Sequence, residues 1–279
     1  MNISIIGAGW VGLPLTLLLT ANGHLVQVSK SSEEGLADLL LHGIDAKKVR
    51  FEQGEVAESD SGNLIELGQA DVVVITIPPG FRSGNGDYYP AHIKTICEHI
   101  SPKVKQVILT SSTAVYPEID KDMCESDASA WSAKAEKILA AEQVVRTLFP
   151  NQYLIARFSG LFGADRHPAR FVKHMQSVSK RSYANMLHQD DAVHGLAYLI
   201  SQQARAKVVN LSTPAKITKA EFYQAALNHA AVNNFEPKQN TTVTSLPPIT
   251  AEGSAKYVKV DKIKAMGYQF RYNNAIDAL

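Results

Sequence analysis

The chain has 279 residues and a formal net charge of +1, with 45% hydrophobic and 20% charged residues. That is an ordinary globular composition, enough for one large α/β domain with a small appended lobe. It lacks the basic surplus that nucleic acid or an anionic membrane surface demands, so the expected partner is a small molecule.

Taken in chain order, Asn2 to Ile6 predicts a strand, Trp10 to Ala21 a helix and Leu25 to Ser29 a second strand. Ser32 to Leu41 reads as a helix, with Glu33 and Glu34 near its positive end. Lys48 to Phe51 could be a third strand. "ADVVVITIPP", residues 70 to 79, is a β-branched run suited to a strand buried on both faces. Helix 89–100, strand 106–111, helix 132–148 and strand 153–157 follow. This alternation implies βαβ units, hence a doubly wound parallel sheet of Rossmann type.

Past residue 158 the rhythm loosens. Residues 1–158 are expected to form the dinucleotide-binding core and 159–279 a small mixed C-terminal lobe on the substrate side. Helix 191–202 and strand 208–211 are expected to return to the core, and helix 219–231 to stay with the lobe. The apolar N-terminus lacks the basic region of a signal peptide, and no run approaches the roughly 20 apolar residues of a membrane span. Two cysteines, Cys97 and Cys124, make neither a disulfide framework nor a metal site. A cytoplasmic protein without metal is expected.

"GAGWVG" sets Gly7, Gly9 and Gly12 directly after a strand and at the opening of a helix. Gly7 suits the tight turn, Gly9 the close approach of backbone to a pyrophosphate, and Gly12 the packing of helix on sheet. Trp10 and Val11 complete the turn, whose helix end offers free N–H donors to the phosphates. Where an NAD-binding chain usually has a carboxylate at the end of the second strand, Ser29, Lys30 and Ser31 stand here. Hydroxyls and an ammonium suit a ribose 2′-phosphate better than a 2′-hydroxyl, so NADP is favoured, with NAD the alternative. Pro78, at the end of the fourth strand, and Ser111, at the end of the fifth, should flank the same cofactor.

With "GAGWVG", "TSSTAVYP", "KILAAEQ" and "LHQDDAVHGL" in this order, the chain resembles the extended short-chain dehydrogenase/reductases of the NAD-dependent epimerase/dehydratase superfamily. "GWVGLPL", "RSGNGDYY", "GADRHPARF" and "LHQDDAV" make it similar to the atypical, YeeZ-like group within them. The resemblance runs from Met1 to about Tyr272. It implies a nicotinamide cofactor, a hydroxyl at a strand end, and a Tyr and Lys four apart on the next helix. Ser112 matches the hydroxyl and Lys137 the lysine, but the tyrosine position is Ala133, which transfers no proton. Tyr116, Tyr88, Tyr89, His167, His188 and Asp190 are the alternative proton carriers. The resemblance also implies a homodimer formed through helices 89–100 and 132–148.

On the substrate side, Arg166, His167 and Arg170 in "GADRHPARF" and Arg82 in the loop after the fourth strand are candidates to hold an anionic substrate. Two functions remain open: an oxidoreductase or epimerase-like enzyme acting on a sugar-nucleotide-like or other anionic metabolite, and a non-catalytic dinucleotide-binding sensor.

Overall fold

The computed structural model describes residues 1–81, 84–163, 165–232 and 245–279. Two compact units emerge. The first comprises Met1–Val115, Ala128–Arg157 and Val193–Val209; the second comprises Tyr116–Asp127, Phe158–Ala192 and Asn210–Leu279.

The first unit is built on a seven-stranded sheet. Its strands are β1 (Asn2–Ile6), β2 (Leu25–Lys30), β3 (Asp45–Lys48), β4 (Val72–Ile75), β5 (Gln106–Ser112), β6 (Tyr153–Phe158) and β7 (Lys207–Leu211). Their order is β3-β2-β1-β4-β5-β6-β7. β1 pairs in parallel with both β2 and β4, and the same holds for β2 with β3 and β4 with β5. Helices α1 (Gly12–Ala21), α2 (Glu33–Leu41), α3 (Ser61–Leu67), α4 (Tyr89–Glu98) and α5 (Ala133–Leu148) accompany the strands. The winding reverses between β1 and β4, the place where open α/β sheets bind ligands beyond their carboxyl ends. The β-branched run narrows to Val72–Ile75, fully buried as a central parallel strand requires.

Two elements depart from the sequence expectation. The third strand is Asp45–Lys48, not 48–51, because Phe51–Glu52 pairs antiparallel with Glu55–Val56. The turn between them places Gln53 and Gly54 at φ of 49° and 104°. Two consecutive positive φ angles are the geometry that matches strand twist in a tight hairpin. Helix α3 was hidden in the sequence because it opens on Ser-Gly-Asn, which reads as a turn.

The second unit contains short parallel pairs: Gly160–Phe162 with Met186–His188, Val178–Ser179 with Ile249–Thr250, and Asp122–Met123 with Tyr257–Val258. Its core gathers Phe162, Val172, Met186, Phe222 and Leu227. Helix α6 (Gln189–Ser201) opens within this unit, and α7 (Lys219–Val232) belongs to it. The helix starts at Gln189, so Asp190 and Asp191 both lie in its first turn. Asp191 is the buried partner, accepting from the Tyr268 hydroxyl and the Arg271 backbone N–H, both at 2.8 Å. Among the described residues no helix is long and apolar enough to cross a membrane, and no cluster of side chains could hold a metal ion.

Candidate dinucleotide site

The glycine turn is locked from beneath. Gly7 has φ of 113°, a region L side chains rarely adopt. Its N–H donates to Ser29 Oγ at 2.9 Å, and its carbonyl accepts from Thr76 Oγ1 at 2.7 Å. A Cβ on Gly12 would lie 2.1 Å from the Gly7 carbonyl oxygen, so only glycine lets α1 approach this closely. Gly9 differs, because its Cβ would meet nothing closer than 4.0 Å. That backbone is sterically bare, its N–H donating to the Gly7 carbonyl at 2.7 Å, and α1 follows Val11 with no side-chain cap, as α3 and α4 also lack one, whereas Ser32 caps α2 and Ser132 caps α5. A bare turn beside an uncapped helix end, at the reversal of the sheet, fits the pyrophosphate of a dinucleotide.

Ser29 is buried and serves the loop from below, where its hydroxyl cannot meet a ribose phosphate. This corrects the direct contact expected of it. Lys30 stands differently. Its ammonium donates to the Ala8 carbonyl at 3.0 Å and makes no ion pair among the described residues. Its cross-strand neighbour Lys48 is paired with Glu33. A lysine held on the glycine turn with its charge uncompensated, and the exposed Ser31 beside it, remain suited to an anion. Pro78 is exposed after β4.

At the end of β5 the two serines part. Ser112 Oγ accepts from the Ala114 N–H at 3.2 Å, while Ser111 donates at 2.7 Å to Glu142 Oε1. Glu142 and Arg157 are each 1% exposed and form a two-point ion pair, Nε to Oε1 at 2.8 Å and Nη2 to Oε2 at 2.7 Å. Arg146 adds a third contact at 3.2 Å. This carboxylate, the glutamate of "KILAAEQ" to which no role was assigned from the sequence, fastens α5 to β5 and β6. It also takes the hydroxyl proton of the part-buried Ser111, the serine expected to contact the cofactor.

Lys137 is likewise engaged, its ammonium paired with the exposed Asp87. The face of α5 that carries Glu142 toward β5 presents Ile138 one turn earlier, buried. Lys137 lies five residues before Glu142, about 140° round the helix. Lys134, one turn before Ile138, sits with its ammonium 5.4 Å from the Phe81 ring centre. Ala133 is exposed at the first position of α5. Of the tyrosines considered as proton carriers, Tyr89 is buried with its hydroxyl unpartnered, and burial beside Glu142 raises its pKa, which removes it. Tyr116 is also buried, donating to Asn210 Oδ1 at 2.5 Å. Tyr88 stays partly exposed beside the His92 ring.

In the second unit, Arg166 and Arg170 are exposed, Arg170 bracing its loop through the Asp165 carbonyl at 2.7 Å. His167 is not with them. It is 5% exposed and stacked on His229 of α7, with Nε2 and Nδ1 3.1 Å apart. It therefore braces the loop, a correction to its expected role in holding substrate. Arg82, with Ser83, lies outside the described residues. His188 is half-buried between Phe162 and Tyr272, and its Nδ1 accepts from the Asp190 N–H at 3.2 Å, which leaves Nε2 to carry the proton of the neutral ring.

Burial and the neighbouring His229 push the His167 pKa down to about 4. Between pH 6.5 and 4 the unfolded chain therefore binds a proton that the folded chain refuses. Stability present at pH 7 is lost as pH falls through that window. Urea midpoints at pH 7 and pH 5 should differ by about 1–2 kcal/mol from this group, and His167→Gln should flatten the slope. An unchanged slope would remove the assignment.

No family model matches the chain. The protein YeeZ of Escherichia coli K12 is 28% identical over 275 residues, covering 97% of this chain and 96% of YeeZ. The chain is thus similar to YeeZ over nearly its whole length. Among solved structures, the Bacillus cereus UDP-glucuronic acid 4-epimerase in complex with NAD superposes with a TM-score of 0.72 at 13% identity. That match covers 100% of this chain and 96% of the epimerase. WbmH of Bordetella bronchiseptica, in complex with NAD+, gives 0.75 at 13% identity over 99% and 95% of the two chains. At these identities the likeness is one of fold, a Rossmann-like α/β fold.

Proposed function

We propose that this chain is a nicotinamide-dinucleotide-dependent oxidoreductase or epimerase-like enzyme, with NADP favoured over NAD, acting on a sugar-nucleotide-like or other anionic metabolite. The observation that carries the reading is the bare Gly9 backbone beside the uncapped α1, at the reversal of the sheet. When bound, the cofactor supplies hydride transfer to or from a carbinol carbon. Gly7, Gly9, Trp10, Val11 and Gly12 hold the pyrophosphate, Lys30 and Ser31 the ribose phosphate, and Pro78 borders the nicotinamide. Ser112 is the hydroxyl left to orient the substrate oxygen, since Ser111 is turned to Glu142. Arg166 and Arg170 neutralise the anionic end of the substrate. Ala133 provides no proton, so protonation falls to water or to another group.

Lys30 carries the cofactor preference. Lys30→Ala is expected to weaken NADPH binding roughly tenfold or more while leaving NADH nearly unchanged, because a charge-assisted contact to phosphate contributes about 1.5–3 kcal/mol. Equal losses for the two dinucleotides, read by calorimetry, would place Lys30 elsewhere.

The pairing of Lys137 with Asp87 favours a second reading, a sensor that binds dinucleotide without turning it over. Nicotinamide absorbance decides between them, followed with saturating NADPH or NADP+ across a panel of nucleotide sugars and anionic carbonyl compounds. Turnover of any one supports the enzyme. Tight dinucleotide binding with no turnover across the panel supports the sensor.

A further inference from the structure

Trp131 lies two residues before Ala133 and is 44% exposed. An exposed tryptophan is usually mobile, but this one is fixed. Its Nε1–H donates to the Ala114 carbonyl at 3.0 Å, and the N–H of the same Ala114 donates to Ser112 Oγ. The chain before it is held by the Ser129 N–H on the Val115 carbonyl at 3.1 Å. The chain after it is held by the Ser132 cap of α5, whose Oγ accepts from the Ala135 N–H at 3.2 Å. The indole has spent its only polar group on the backbone, so what remains toward solvent is a flat apolar face. It is joined to the Ser112 hydroxyl through one residue.

We infer that Trp131 is a substrate-binding residue: its face packs on the apolar C–H face of a sugar ring whose oxygen is oriented by Ser112. The inference rests on the proposed function and deepens it by naming the group that receives the ring. A sugar ring suits this site because its C–H face is flat and apolar while its hydroxyls point outward to polar partners. Pre-fixed rings lose little conformational entropy when a ligand covers them, which is why aromatic anchors dominate recognition surfaces.

The test is calorimetric titration of the NADPH-loaded protein with UDP-glucose and dTDP-glucose, and with UDP and dTDP as sugar-free controls. Trp131→Ala should weaken binding of a nucleotide sugar about tenfold or more and leave the matching nucleotide within twofold. Trp131→Phe, which keeps an apolar ring, should stay within about threefold of the wild type. NADPH affinity should be unchanged in both variants, which also shows that they are folded. Equal losses for sugar and sugar-free ligands, or a loss of NADPH affinity in Trp131→Ala, would overturn the inference. So would wild-type protein that binds NADPH but neither nucleotide sugar. Failure to bind NADPH at all would instead strike the proposed function itself.

Discussion

Glu142→Ala is expected to lose about 3–5 kcal/mol of stability, more than any surface substitution in this chain. The change leaves the Arg157 guanidinium, 1% exposed, without its carboxylate, and it strips the Arg146 and Ser111 contacts as well. An uncompensated buried charge, rather than the attraction forfeited, supplies most of the cost. Urea unfolding measures it. The double substitution Glu142→Leu with Arg157→Met should recover much of the loss, because an apolar pair of similar volume needs no counter-charge. If Glu142→Ala falls within 1 kcal/mol of the parent, the ion pair does not hold α5 to the sheet as described.

The glycines give the second large effect, and they separate stability from binding. Gly12→Ala forces a Cβ to 2.1 Å from the Gly7 carbonyl oxygen and 2.9 Å from Thr76 Oγ1. Backbone must move, so about 1–3 kcal/mol of stability should go, with dinucleotide affinity down roughly a hundredfold or more. Gly9→Ala meets no protein atom closer than 4.0 Å, so thermal unfolding should barely change. Its methyl nevertheless stands where the pyrophosphate must approach, and affinity should fall by a similar factor. A Gly9→Ala protein that binds NADPH like the parent would dismiss the turn as a phosphate cradle.

How far the sequence reveals this molecule depends on whether the governing interaction is local. "GAGWVG" could be read because turn, helix start and strand end lie within a dozen residues, and the strand–helix alternation carried the sheet with it. The edge strand slipped because Lys48 to Phe51 alternates charged and apolar residues as a strand can, while the tight Gln53-Gly54 turn that folds Phe51 back is a matter of φ. His167 looked exposed in a loop rich in charge, and its partner His229 comes 62 residues later. Lys137 satisfied the four-residue spacing from Ala133, yet spacing does not say which helix face meets β5. Glu142 says it. A signal for that network did exist: Glu142 interrupts the small apolar face of "ILAAEQVV", and Arg157 interrupts the buried strand "YLIARF". A charge at a core-facing position needs a partner, and two such charges on successive elements could have been matched.

The central claim is that this fold holds a phosphorylated nicotinamide dinucleotide on its glycine turn. Calorimetric titration of the purified protein with NADPH and with NADH tests it most directly. Binding of NADPH with about one site per chain, tighter than NADH by about tenfold or more, is the predicted result. Absence of binding by either dinucleotide at millimolar concentration would contradict the account.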